Sequence, residues 1–276
     1  MAASAFFFSL MAGLAKVAGS AVPLFEIVFA RSFVVAVLAG GALLKSGTGF
    51  RGSETRLLLL RGLLGFGALS CFYYAVVHLP LADATVIHFT NPVYTAFIAA
   101  MVLGEHLGLA EAMLVVFSLG GVVMVARPAF IFGGANMLPP GAVVAGLCGA
   151  LFSASAYVTV RRLRREPPML VVFYFAAVCT LLSLPPLLLH PELPAPHMWL
   201  ILLAVGVTTH LGQWFITWGF RLERAGRASA VGYLQIVFAA GWGWLFFHEV
   251  PDLWTWLGAG VIVGSTLALV RLHPIR

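Results

Sequence analysis

Residues 82–127 read ADATVIHFTNPVYTAFIAAMVLGEHLGLAEAMLVVFSLGGVVMVAR. Two apolar runs, each long enough to cross a bilayer, are joined by a short polar link that contains Glu105. The first run carries His88, Thr90, Asn91 and Tyr94 around Pro92. Polar groups at that depth in hydrocarbon are costly, so their presence points to function or to a specific packing need.

Outward from this stretch the chain keeps the same character. It is 61% hydrophobic and 9% charged over 276 residues. A water-exposed surface needs about 25% charged residues, so no soluble domain can be made from it. The expected fold class is an all-α polytopic membrane protein. The net charge of +6 comes from basic residues in short gaps between apolar runs, which argues against a nucleic-acid partner. Cys71, Cys148 and Cys179 lie inside apolar runs without metal-ligand spacing and read as packing residues. The apolar start, Ala5 to Leu14, lacks a basic n-region and is expected to be the first membrane helix rather than a signal peptide.

A spanning helix needs about 20 mainly apolar residues. Such runs are placed near 3–19, 23–44, 57–78, 83–104, 109–127, 139–161, 168–189, 197–219, 227–247 and 252–271. Breaker residues separate them, among them Pro23, Gly47, Gly49, Pro80, Gly133-Gly134, Pro139-Pro140, Pro167-Pro168, Pro191 and Pro251. With the N-terminus inside, the cytoplasmic gaps collect Lys45, Arg51, Arg56, Arg61, Arg161, Arg162, Arg164 and Arg165. They also collect Arg221, Arg224, Arg227, Arg271 and Arg276. Lysine and arginine favour the cytoplasmic side, so both termini are expected there, in the inner (plasma) membrane.

An internal repeat organises these spans. Glu105 and Glu249 stand 144 positions apart, as do Arg127 and Arg271. The same interval joins Phe8 to Phe152, Ser9 to Ser153, Pro23 to Pro167, Gly62 to Gly206, Ala84 to Ala228, Leu109 to Leu253 and Gly120 to Gly264. Five spans per repeat is an odd number, so the second repeat enters from the opposite side. Two inverted repeats, 1–132 and 133–276, form one transport domain in this reading.

The stretch quoted above, with small residues and a proline leading to LGE and a Gly-Gly helix, resembles the EamA-type drug/metabolite transporter superfamily. A weaker copy runs ASAVGYLQIVFAAGWGWLFFHEVPDLWTWLGAGVIVGSTLALV from Ala228, and FARSFVVAVLAG around Arg31 also fits. The resemblance covers the whole chain as two five-helix halves, and is nearest the YddG-type exporters of aromatic and other amino acids. It implies an exporter of small metabolites that works by alternating access, with no cofactor and with the lipid bilayer as its surroundings. The match departs where Ile236 replaces the proline corresponding to Pro92 and FFHE replaces LGE. His88 likewise has only Gly232 opposite it, so the halves are expected to contribute unequally.

Pro92 cannot donate a hydrogen bond to the carbonyl of His88, so the fourth span should bend there. His88, Asn91 and Thr95 share one helical face and could line a water-filled cavity or lock neighbouring helices together. In the eighth span His210, Gln213, Trp214 and Thr217 cluster in the same way, while Trp218 suits an interfacial anchor. Tyr73, Tyr74, Tyr94, Tyr157, Tyr233 and Gln235 complete the candidate substrate-binding set. A cavity with aromatic walls and a few polar groups suits zwitterions with apolar side chains. Arg31, which falls within the second span, either meets a substrate carboxylate or braces its helix. Phosphorylated solutes should need several deep cations, and Arg31 alone qualifies on sequence.

Enzyme-like strings do not survive their context. His78 and Asp83 have acyltransferase-like spacing but lie at a short turn without a supporting block. Gly258-Ala-Gly260 breaks the dinucleotide fingerprint and follows no strand. Gly260 and Gly264 are instead expected to allow close helix packing. Glu105 and Glu249 are assigned to architecture, and no catalytic or metal site is expected.

Overall fold

The computed structural model describes residues 1–19, 21–79, 81–105, 108–126, 131, 138–189, 194–247 and 253–272. Arg127, Glu249, Asp252, Pro80, Pro191, Pro251 and the Gly133-Gly134 link therefore lie outside the described residues.

Among the described residues the elements are α-helices. They are α1 (Ala2–Ala18), α2 (Leu24–Lys45), α3 (Thr55–His78), α4 (Leu81–His88), α5 (Asn91–Leu103) and α6 (Leu109–Ala126). Then follow α7 (Pro140–Arg162), α8 (Pro168–Leu189), α9 (Pro196–Leu222), α10 (Ala225–Val231), α11 (Leu234–Phe247) and α12 (Leu253–Leu272). Proline opens α7, α8 and α9, where a missing N–H costs nothing because the first turn has no acceptor for it. Among the described residues, eight helical spans are long and apolar enough to cross a membrane, and Ala2–Ala18 and Leu253–Leu269 are shorter apolar helices. Leu109 and Leu200 are more than 70% exposed, which hydrocarbon surroundings tolerate and water does not. The fold is thus a polytopic α-helical bundle of inverted repeats.

The fourth and ninth spans are each split in two. The first was expected to bend at Pro92; the second, which has no proline, was not. α4 gives way to α5 at Phe89 and Thr90, and α10 to α11 at Gly232 and Tyr233.

The chain folds as two compact units that do not follow its halves. The first comprises Met1–Phe66 and Thr159–Leu222, the second Gly67–Val158 and Glu223–Arg276. In the first, α2 packs on α8 and α9, and α1 on α9. Val35, Ala39, Val172 and Ala176 fill one core and Ala18, Val22, Ile27, Leu202 and Val205 another. Small residues set these approaches: a Cβ at Gly212 would stand 2.9 Å from the Phe8 ring, and the Ser4 hydroxyl donates to the Gly212 carbonyl at 2.9 Å.

In the second unit α6 packs along α12, α5 on α10, and α4 on α6. The α6–α12 contact is made by backbones. A Cβ on Gly258 would lie 2.6 Å from the Gly121 carbonyl, and one on Gly121 would lie 2.8 Å from the Gly258 carbonyl. Gly260 and Gly264, expected to serve this purpose, face open space. Helical phase decides the matter, because Gly258 shares the α6-facing side with Ile262, whose side chain meets Gly121.

Candidate functional site

The LGE stretch explains itself in three dimensions. Gly104 ends α5 at φ +66°, a left-handed conformation that glycine adopts without a steric penalty. The turn delivers the Glu105 carboxylate to the start of α10, where it accepts the Ala225 N–H at 2.9 Å. A negative group at a helix N-terminus satisfies an orphan donor and opposes the helix dipole. In the first turn of the next helix, Glu111 accepts the Gly108 N–H at 2.9 Å and meets Arg227 Nε at 3.4 Å. Arg227 also reaches Glu223 at 3.0 Å. Arg227 and Glu111 are both buried, although Arg227 reads from sequence as part of a cytoplasmic gap. Buried guanidinium and carboxylate here hold α10 to α6.

Just beyond this anchor lie the two helix breaks. At the first, Asn91 Nδ2 donates to the His88 carbonyl at 3.0 Å. That carbonyl is the acceptor Pro92 cannot serve, so the Asn91 amide supplies the donor that proline removes. Thr90 Oγ1 donates to the Ile87 carbonyl at 2.6 Å and Thr95 Oγ1 to the Asn91 carbonyl at 2.8 Å. Asn91 and Thr95 are buried, with these bonds inside their own broken span. The polar face of this span therefore mends the backbone.

His88 behaves differently. Its ring lies 4.5 Å from that of Phe72 and 5.7 Å from that of Phe89, and its Nδ1 is buried without a hydrogen-bond partner. Phe89 in turn stands 6.0 Å from Tyr233. The two are equivalent positions of the repeat, 144 residues apart, so each half meets its own counterpart where the spans break. Tyr233 is fully buried among Val86, Val115, Val122, Ile236 and Ile262, and its hydroxyl has no partner. Its surroundings in this structure are hydrocarbon side chains. Tyr74, 49% exposed, stacks on His78 at 4.1 Å. Tyr73, Tyr94, Tyr157 and Gln235 are half-buried in this unit.

The first unit holds the remaining candidates. His210 and Trp214 are half-buried on α9, and the His210 Nδ1 is buried without a hydrogen-bond partner. The Trp214 ring lies 5.3 Å from Phe215, which stacks on Phe7. Trp218 is exposed with the Arg221 guanidinium 5.3 Å from its ring, in keeping with an anchor. Gln213 is buried, and its Oε1 accepts Arg61 Nη2 at 3.3 Å. Arg61 is the residue the sequence misplaced. It lies inside α3, 3% exposed, with its guanidinium 4.2 Å from the Phe175 centroid. Arg31 is equally buried, and its Nε has no hydrogen-bond partner. The signal for Arg61 is its position four residues past the start of the run placed near 57–78.

Comparison with known proteins decides the family. The model of the EamA-like transporter family matches residues 1–127 and 140–271. The chain belongs to that family. It is 37% identical over 270 residues to the pseudopaline exporter CntI of Pseudomonas aeruginosa, covering 97% of this chain and 93% of that protein. It is 24% identical over 258 residues to the S-adenosylmethionine uptake transporter of Rickettsia prowazekii, covering 93% and 86%. One solved structure, described only as the crystal structure of a protein, shares the fold with a TM-score of 0.80 at 20% identity, covering 99% of both chains. The EamA-like chain is accordingly a membrane transporter of small molecules and not an enzyme.

Proposed function

We propose that the protein exports amino acids and related small metabolites by alternating access, as the YddG-type exporters do. The observation that carries this reading is the near full-length similarity to a protein named as a pseudopaline exporter. The split spans support the mechanism. Each interrupts its helix with i→i−3 hydrogen bonds, such as Thr90 N–H to Ile87 at 3.2 Å and Gly232 N–H to Ser229 at 2.9 Å. A tightened stretch within a helix concentrates backbone adjustment at one point. In the second unit His88, Tyr73, Tyr94, Tyr157 and Gln235 are proposed to meet the solute. In the first, Arg31, His210, Gln213 and Trp214 are proposed to do so.

The two inverted repeats are proposed to divide at 132/133, in an inner membrane with both termini cytoplasmic. Relatives named for an exporter and for an uptake transporter share this family, so direction is set by gradients and coupling rather than by architecture. Counterflow tests the reading. Proteoliposomes loaded with unlabelled amino acids should accumulate labelled leucine or phenylalanine transiently, and His88→Ala and Trp214→Ala should weaken that signal while insertion is unchanged. Flat traces across a panel of amino acids would sink amino-acid export.

A further inference from the structure

Nothing stands within 4 Å of the position that a Cβ on Gly264 would take. That open space is the floor of a groove of about 660 Å³ between α6 and α12, inside the second unit. Met113 and Phe117 wall it on the α6 side and Leu267 on the α12 side, all three exposed. Arg271 lines the same groove.

Helix register fixes which end holds the charge. A Cβ on Gly121 would meet Ile262 and one on Gly258 would meet Val125, so α6 and α12 run antiparallel. Continuing that register sets Phe117 opposite Gly264. It sets Ala110, in the first turn of α6, opposite Arg271, in the last turn of α12. Gly264 and Arg271 are seven residues apart, a rise of about 10 Å along the helix. One leaflet supplies about 15 Å of hydrocarbon, half of a core of about 30 Å. The groove therefore starts at a helix end, where headgroups lie, and follows an acyl chain through much of one leaflet.

The charged end decides which lipid fits. Arg271 is exposed and, among the described residues, has no carboxylate paired with it. The acidic side chain of α6's first turn, Glu111, is engaged by Arg227, which also donates to the Leu269 carbonyl of α12. A guanidinium presents several donors in a planar fork that suits phosphate oxygens.

We propose that this groove binds an anionic phospholipid, with its phosphate on Arg271 and one acyl chain lying over Gly264 between Phe117 and Leu267. The site shares no residue with the proposed solute contacts and does not rest on them. With the termini cytoplasmic, as proposed above, it opens to the leaflet in which anionic lipids concentrate.

Native mass spectrometry of the intact protein tests it. The purified protein, stripped of lipid in detergent, is offered equimolar phosphatidylglycerol and phosphatidylcholine with the same acyl chains, and the first lipid bound is counted. One basic side chain at an anionic surface corresponds to about a fivefold preference. Arg271→Gln should lose about that factor, and Arg271→Lys should keep most of it. Gly264→Leu fills the floor and should lower first-site occupancy by both lipids. It should fold as the unsubstituted protein does, since its side chain enters open space and leucine favours a helix over glycine. An unchanged lipid ratio in Arg271→Gln would overturn the site and leave Arg271 as a cation that complements a helix C-terminus. Unchanged occupancy in Gly264→Leu would overturn it too. Inorganic phosphate should not displace phosphatidylglycerol; displacement would overturn the lipid assignment in favour of an ion site.

Discussion

The two broken spans lie in the same unit, occupy equivalent places in the repeat and reach the same shape by different chemistry. The α4–α5 break is made by a proline, and its liberated carbonyl is taken by a neutral amide, Asn91. The α10–α11 break has Ile236 at the proline position. There the chain tightens through i→i−3 bonds around Gly232, where a Cβ would stand 2.8 Å from the Ser229 carbonyl. The start of α10 receives Glu105 at its N-terminus and the Arg227–Glu111 pair beside it. A break, then, is the element the repeat preserves, and proline is only one way to make it. Among the described residues, the hold on the second break is ionic and that on the first is the neutral Asn91 amide.

The largest expected effect comes from removing that ionic hold. Glu111→Ala leaves Arg227 with Glu223, which is one-third exposed, and strips its buried partner. Losing one member of a buried pair costs about 3–5 kcal/mol. The thermal unfolding midpoint in detergent should fall sharply, with Glu111→Gln falling less because the amide still accepts a hydrogen bond. An unchanged midpoint for Glu111→Ala would mean that α10 is held by apolar packing alone, and the contrast between the breaks would lose its electrostatic part.

Much of this architecture is legible in sequence because membranes simplify the problem. Hydrocarbon demands long apolar helices, so span number and approximate limits follow from hydropathy. The bend at Pro92 follows from a missing N–H. The second break does not, because Gly232 in an apolar run is indistinguishable from a packing glycine until its neighbours are known. The same ambiguity misassigned Gly260 and Gly264 in place of Gly258, since one helix's sequence does not state which face meets α6. From sequence Arg61 and Arg227 count as gap residues, because the positive-inside pattern counts charges without regard to depth. Of the candidate site, sequence does not show that His88 Nδ1 is unserved, that Asn91 bonds the His88 carbonyl, or that Tyr233 packs among Val86, Val115 and Ile262, because each depends on neighbours in space.

A double-mutant cycle isolates the first break. Asn91→Ala should cost about 1–3 kcal/mol, because the His88 carbonyl is left without a donor. Pro92→Ala restores a backbone N–H four residues on. In that background Asn91→Ala should cost a few tenths at most, about the size of other uncoupled changes. The readout is the midpoint of thermal unfolding for all four proteins. Equal costs in both backgrounds would separate Asn91 from the proline. Counterflow adds a second measurement: Pro92→Ala allows a continuous helix and should slow exchange even where it stabilises the fold.

The smallest effect concerns the pair at the meeting of the breaks, Phe89 and Tyr233. Tyr233→Phe makes the two equivalent positions identical and removes a hydroxyl that is fully buried without a partner. An unsatisfied buried hydroxyl costs free energy in the folded state, so its removal should leave stability unchanged or raise it by about 1 kcal/mol. Transport should persist, because a hydroxyl enclosed by Val86, Val115 and Ile262 has no route to a solute in this conformation. A loss of counterflow with an unchanged midpoint would reverse that assignment. It would mean that the core around Tyr233 opens during the cycle, and that the second break exposes a polar group which Phe89 at the first cannot offer.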